Sequence, residues 1–186
     1  MQKLYRNIEK WIFILLAFIG CRKIDDNGYR TYTIKKGKHR SGYRYVTTRS
    51  DLIEFKVIFD ESAEYECKDP INQYDINKLY GVSDCGDNHM DYSIRFGWRW
   101  INDSLQLLWF RHQHGEFSFE PLRYIDTNQS YDCSIEITDD NYILGIDNTK
   151  FYVERTCPHN YKRYMLYPYF GGDETAPHDI TIRIKE

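Results

Sequence analysis

The sequence predicts an all-β protein, a β-sandwich of jelly-roll type, and three observations lead there. From Tyr29 onward about a dozen short segments alternate apolar and polar residues, the period of a strand with one buried face. Clusters of Gly, Asn and Asp separate these segments at regular intervals, and no credible helical period follows the leader. Aromatic residues make up 17% of the chain, with 17 tyrosines among them, a composition that suits pleated, half-buried surfaces. The 186 residues suffice for one domain with a substantial core plus a short leader. No internal repeat or low-complexity tract divides the chain.

Taken in order, Tyr29 to Lys36 and Tyr43 to Thr48 read as strands around a polar turn. Leu52 to Phe59 sets Ile53, Phe55, Val57 and Phe59 against Glu54 and Lys56. Asp60 to Asp75 is a long polar connection, followed by a short strand from Asn77 to Ser83 and a loop from Asp84 to His89. Asp91 to Ile101 and Leu105 to His112 form a hairpin around Asn102-Asp103, a pair suited to left-handed turn positions. Further strands run over Glu116 to Ile125, Ser130 to Thr138, Tyr142 to Ile146, Lys150 to Arg155, Arg163 to Phe170 and Asp179 to Lys185.

The hairpin's first strand organises the rest. Ile94, Phe96, Trp98 and Trp100 share one face; Asp91, Ser93, Arg95 and Arg99 share the other. Its partner adds Phe110 and His112 to the polar side. Two guanidiniums, a hydroxyl and an imidazole on one sheet face make a candidate binding surface. As exposed strand residues, Arg95 and Arg99 would otherwise be solvated or paired with nearby acids.

The N-terminus reads as a leader. Lys3, Arg6 and Lys10 precede an apolar run from Trp11 to Ile19 that is too short to span a bilayer. It ends in Phe18-Ile19-Gly20-Cys21, which resembles the lipobox of bacterial lipoproteins. The resemblance implies a signal peptide over 1–20, cleavage before Cys21, lipidation of that thiol and a tether over 21–28 ahead of a domain over 29–186. Asp25 and Asp26 are similar to the export tags of some Bacteroidetes-type surface lipoproteins. The expected location is therefore the bacterial cell envelope, lipid-anchored, in the outer membrane and surface-exposed.

The formal charge is −3, and removing Lys3, Arg6, Lys10 and Glu9 with the leader makes it −5. No basic stripe remains to displace counterions, so nucleic acid is not an expected partner. Four further cysteines, Cys67, Cys85, Cys133 and Cys157, allow up to two disulfides in an exported chain. Cys67 and Cys85 bracket the least regular segment and form the first expected pair, with Cys133 a free buried thiol as the alternative for an inward strand position. No CxxC spacing is present, and His112 with His114 lacks a third ligand at a known spacing. Gly171-Gly172-Asp173-Glu174 with Asp179 reads as a tight turn, calcium being its alternative. No metal or cofactor is expected.

Lys78-Leu79-Tyr80-Gly81, Ser93-Ile94-Arg95 leading to Trp98-Arg99, and Tyr169-Phe170-Gly171-Gly172 with Ala176-Pro177 resemble the landmarks of family 14 polysaccharide lyases. The resemblance implies a concanavalin A-like jelly roll and cleavage of alginate or related uronic-acid polymers. It places Lys78, Ser93 and Arg95 on matching positions for holding the uronate carboxylate. Where the family carries a Tyr pair on the next strand, this chain has Phe110 and His112, so His112 would have to move the proton.

Two functions follow. The first is non-catalytic binding of a polysaccharide or glycan, with Arg99, Tyr167 and Tyr169 beside Arg95 and His112. The second is β-elimination on a uronic-acid polymer through Lys78, Ser93, Arg95 and His112. An envelope or adhesion role with a protein partner uses the same scaffold. Paired-carboxylate glycosidase chemistry has little support, since no strand carries an inward acidic pair.

Overall fold

A computed structural model of the chain describes residues 24–42, 44–157 and 162–186. The leader over 1–20 and Cys21 lie outside the described residues. Twelve strands are found among the described residues: β1 (Arg30–Ile34), β2 (Thr47–Thr48), β3 (Leu52–Phe59), β4 (Asn77–Ser83), β5 (Ser93–Ile101), β6 (Ser104–Gln113), β7 (Glu116–Ile125), β8 (Ser130–Ile137), β9 (Asn141–Ile146), β10 (Thr149–Glu154), β11 (Arg163–Leu166) and β12 (Ile180–Lys185). They form two antiparallel six-stranded sheets, ordered β1-β12-β3-β8-β9-β10 and β2-β11-β4-β5-β6-β7.

The predicted alternation holds where it is strongest. Ile53, Phe55, Val57 and Phe59 of β3 face Phe96 and Trp98 of β5 across the sandwich, with Phe55 ringed by Tyr80 at 4.8 Å and Phe96 at 5.7 Å. Phe59 packs on Trp98 at 5.3 Å. Aromatic pairs at such separations add to the area they bury. Asn102 and Asp103 both take positive φ, 52° and 53°, as the two-residue hairpin requires.

Several segments are shorter than predicted. Of the strand expected over Tyr43 to Thr48, Tyr43 lies outside the described residues and the rest carries only the two residues of β2; the one over Arg163 to Phe170 stops at Leu166. The polar connection over 60–75 winds two short 3-10 turns, Glu61–Ala63 and Pro70–Tyr74, capped by Asp60 and Asp69. Part of the expected tether is ordered against the domain: Asp25 caps the backbone of Asn27 and Tyr29, and Ile24 bridges Arg30.

The first expected disulfide is corrected. Cys85 bonds Cys157, with Cα atoms 5.7 Å apart, and both Cys67 and Cys133 are free. Sequence proximity misleads here because β4 lies between Cys67 and Cys85. A seven-residue strand carries its ends about 20 Å apart.

Candidate functional site

The site lies on the outer face of the second sheet, and strand register builds it row by row. Directly opposed residues of neighbouring strands share a face. Ser83, Ser93, His112 and Phe117 form one such row, and Gly81, Arg95, Phe110 and Phe119 the next. Lys78 joins Gly97 and Leu108 in a third, with Tyr169 bridged to its other side. A bulge between Lys78 and Tyr80 makes this possible. Leu79 and Tyr80 both enter the core, and Lys78 is left outside.

This outer face is buried nonetheless. Ser93, Arg95 and His112 are 0%, 7% and 4% exposed, because the segments at 74–76, 88–90 and 169–173 fold over it. Ile76, Leu108 and Phe110 make a small second core beneath that cover. The cover leaves a cleft of about 780 Å³ lined by Lys78, Arg95, His112, His89, Tyr169 and the Phe110–Phe117–Phe119 group. Those three rings are within 9° of parallel, with centroids 5.7 to 6.4 Å apart.

Asp75 and Asp173 also line the cleft, but neither forms an ion pair with its cations. The Lys78 ammonium donates to the Ile76 carbonyl at 2.6 Å and lies 4.3 Å from the Phe110 ring centre. Burial, reinforced by the charge of Arg95, pushes Lys78 down to about 8, against a smaller opposing pull from Asp75. The Arg95 side chain makes no hydrogen bond or ion pair among the described residues, and its Nε is buried without a partner. Burial brings its guanidinium down to about 10. His112 is pushed down to about 4, by burial first and then by Arg95, Lys78 and His89, with Asp91 opposing. Its imidazole is therefore neutral at physiological pH.

A second lobe of about 610 Å³ continues the cleft, lined by Arg40, Arg44, Tyr45, Tyr164 and Tyr167. The two lobes share Arg40, Asn88, His89, Arg95 and Tyr169 at their seam. His89 is held there by Tyr164, whose hydroxyl accepts from the His89 backbone N–H at 2.7 Å and lies 2.9 Å from Nδ1.

The structure thus brings Lys78, Arg95, His112 and Tyr169 to one cleft, with Ser93 beneath His112. Arg99 lies elsewhere, bonded to the Gln106 side chain at 2.9 Å and the Tyr74 carbonyl at 3.1 Å. Tyr167 forms part of the second lobe's wall, stacked on Tyr32 at 5.7 Å with Arg44 above its ring. His114 is bonded to Tyr92 and Thr156, away from His112. Glu174 accepts from the backbone of Lys68 and Asp69, Asp179 pairs with Lys35, and the Asp173 backbone N–H donates to Asp75, so Glu174 and Asp179 are already engaged.

Sequence reasoning missed Phe117 and Phe119, although their i, i+2 spacing opposite Phe110 was a usable signal. His89 and Arg40 come from loops and left no such signal.

Fold and cleft together define a jelly-roll domain carrying a basic, aromatic groove on one sheet. No family model matches the chain, and no curated protein does. Among solved structures it is similar to an alginate lyase, AlyC3, with a TM-score of 0.60 at 12% identity, over 88% of this chain and 75% of that one. The same lyase in complex with dimannuronate gives 0.55 at 11%, over 87% and 74%. The catalytic domain of an endo-1,3-beta-glucanase (laminarinase) from Thermotoga petrophila RKU-1 gives 0.56 at 12%, over 86% and 76%. These likenesses establish the fold, a concanavalin A-like jelly roll.

Proposed function

We propose that the chain binds an acidic polysaccharide, one whose sugars carry carboxylates, in the two-lobed cleft. The observation that carries this reading is Arg95, a buried guanidinium with no hydrogen-bonding or ion-pair partner among the described residues. A buried, uncompensated charge is costly, and a carboxylate relieves it through two parallel hydrogen bonds. Lys78 lies beside it, and the Phe110–Phe117–Phe119 group offers apolar faces to sugar rings. Because Arg95 and Tyr169 line both lobes, the natural occupant is a chain that passes over them. The alginate lyase and laminarinase folds fit a glycan ligand, and the dimannuronate bound to AlyC3 is itself a uronate.

Calorimetry with uronate oligomers of increasing length, and neutral glucan oligomers as controls, tests the proposal. Uronates bind, and affinity rises until both lobes are filled. Lys78→Met weakens binding about tenfold, or ~1.4 kcal/mol, while the folded protein is retained. Equal affinity for the neutral oligomers overturns the reading.

A second reading, cleavage by β-elimination, is favoured by the neutral His112 and the Tyr169 phenol in one cleft. His112 would take the proton next to the carboxylate and Tyr169 would supply one to the leaving oxygen. Ultraviolet absorbance of an unsaturated uronate product, absent in His112→Ala, is the expected signature. The proposed setting is the bacterial envelope, with acyl chains on Cys21 as the anchor. Metabolic labelling with a fatty acid, lost in Cys21→Ala, checks it.

A further inference from the structure

We propose that Ser93 is a positioning residue that holds His112 as its Nδ1–H tautomer, so that the Nε2 lone pair is the cleft's hydrogen-bond acceptor. The Ser93 hydroxyl lies 2.7 Å from the His89 carbonyl, and a carbonyl only accepts. Its single hydrogen is therefore committed to His89. Toward His112 Nδ1, 3.3 Å away, Ser93 Oγ can only accept, which puts the imidazole proton on Nδ1. Nε2 makes no hydrogen bond among the described residues and is not among their buried atoms lacking a partner. It therefore reaches the solvent of the cleft that His112 lines.

The charges around the ring keep it neutral. Arg95 on β5, Lys78 on β4 and His89 on the covering loop all oppose a third positive charge, and only Asp91 favours one. The ammonium of Lys78 and the guanidinium of Arg95 are donors without acceptor capacity. Nε2 therefore supplies what they cannot.

A ligand meets this arrangement with two groups: a carboxylate toward Lys78 and Arg95, and a nearby hydroxyl that donates to Nε2. The substrate class narrows to uronates whose hydroxyl at that position is free. An O-acetyl ester there has no hydrogen to donate and leaves Nε2 desolvated and unpaired. This rests on the proposed uronate binding, whereas the tautomer does not.

Imidazole nitrogen NMR on the uniformly 15N-labelled protein separates the two. The expected His112 spectrum has a protonated Nδ1 and an unprotonated Nε2. Ser93→Ala gives a tautomer mixture, and Ser93→Thr, which keeps the hydroxyl, restores the wild-type pattern. Calorimetry with a uronate oligomer before and after chemical O-acetylation gives at least about tenfold weaker binding for the acetylated form. Ser93→Ala narrows that ratio.

A protonated Nε2 in the wild-type protein, or an unchanged tautomer in Ser93→Ala, overturns the positioning role even if uronates bind. Equal affinity for both oligomers overturns the selectivity even if the tautomer stands. Failure of every uronate to bind overturns the binding reading and leaves the tautomer to be decided by NMR alone.

Discussion

Lys78 and Arg95 owe their lowered values to burial first and, for Lys78, to the neighbouring charge of Arg95, while both share the face of one aromatic ring. Lys78 has its nitrogen 4.3 Å from the Phe110 centroid, and the Arg95 guanidinium carbon is 5.7 Å from the same point. Because Lys78 titrates near 8, uronate affinity is highest below that pH and falls as pH rises through it. A bound carboxylate raises the Lys78 value, so binding near pH 8 takes up protons. Calorimetry in buffers of different ionisation enthalpy measures that uptake, and Lys78→Met abolishes it. Unbound, the folded protein holds fewer protons on Lys78 than the unfolded chain between about 8 and 10.5, so this group makes stability rise with pH across that window. At this scale Ser93 and Arg95 were legible from alternation. Their burial was not, because it depends on how the loops at 74–76, 88–90 and 169–173 fold over the face.

At the scale of elements, the cleft depends on a bulge and on close backbone approach. The strand containing Lys78 reads as ordinary alternation until the bulge turns Tyr80 inward, which no propensity signals. Gly171 packs where a Cβ would lie 2.1 Å from the Ile76 carbonyl oxygen and 2.8 Å from the Lys78 nitrogen. Gly171→Ala is expected to cost about 1–3 kcal/mol in thermal unfolding and to weaken uronate binding by displacing Lys78. The loop carrying His89 is anchored at its start by the Cys85–Cys157 disulfide, which spans 72 residues of sequence. In the chain-entropy picture a crosslink of that span contributes about 4 kcal/mol. Cys85→Ser with Cys157→Ser is expected to lose a comparable amount in denaturant unfolding, whereas Cys133→Ser leaves the disulfide intact and perturbs only local packing.

Across the whole molecule, Asp84 ties the two sheets together. Fully buried, it accepts from the Tyr142 hydroxyl at 2.7 Å, Arg155 Nε at 2.6 Å and Arg163 Nε at 3.0 Å. Tyr142 belongs to β9 in one sheet, with Arg155 just past β10; Arg163 begins β11 in the other. Burial alone would raise the Asp84 carboxyl, but the hydrogen bonds from Arg155 and Tyr142 outweigh it and hold the group ionised. Asp84→Ala strands buried guanidinium charge and is expected to destabilise by about 3–5 kcal/mol, measured by denaturant unfolding. The sequence presents this residue only as the first position of a loop.

The sequence by itself determined what depends on neighbours a few residues apart. Strand alternation, the Asn102-Asp103 hairpin and the placement of Ser93 and Arg95 opposite Ile94 and Phe96 follow from local pleat and turn geometry. Tertiary structure decided what depends on partners far along the chain: Cys157 for Cys85, Tyr169 beside Lys78, and the loops that close over Arg95. Those pairings depend on sheet order and on how loops cover a face, which local periodicity does not encode. A polar strand face became a buried cleft only because the loops at 74–76, 88–90 and 169–173 fold over it.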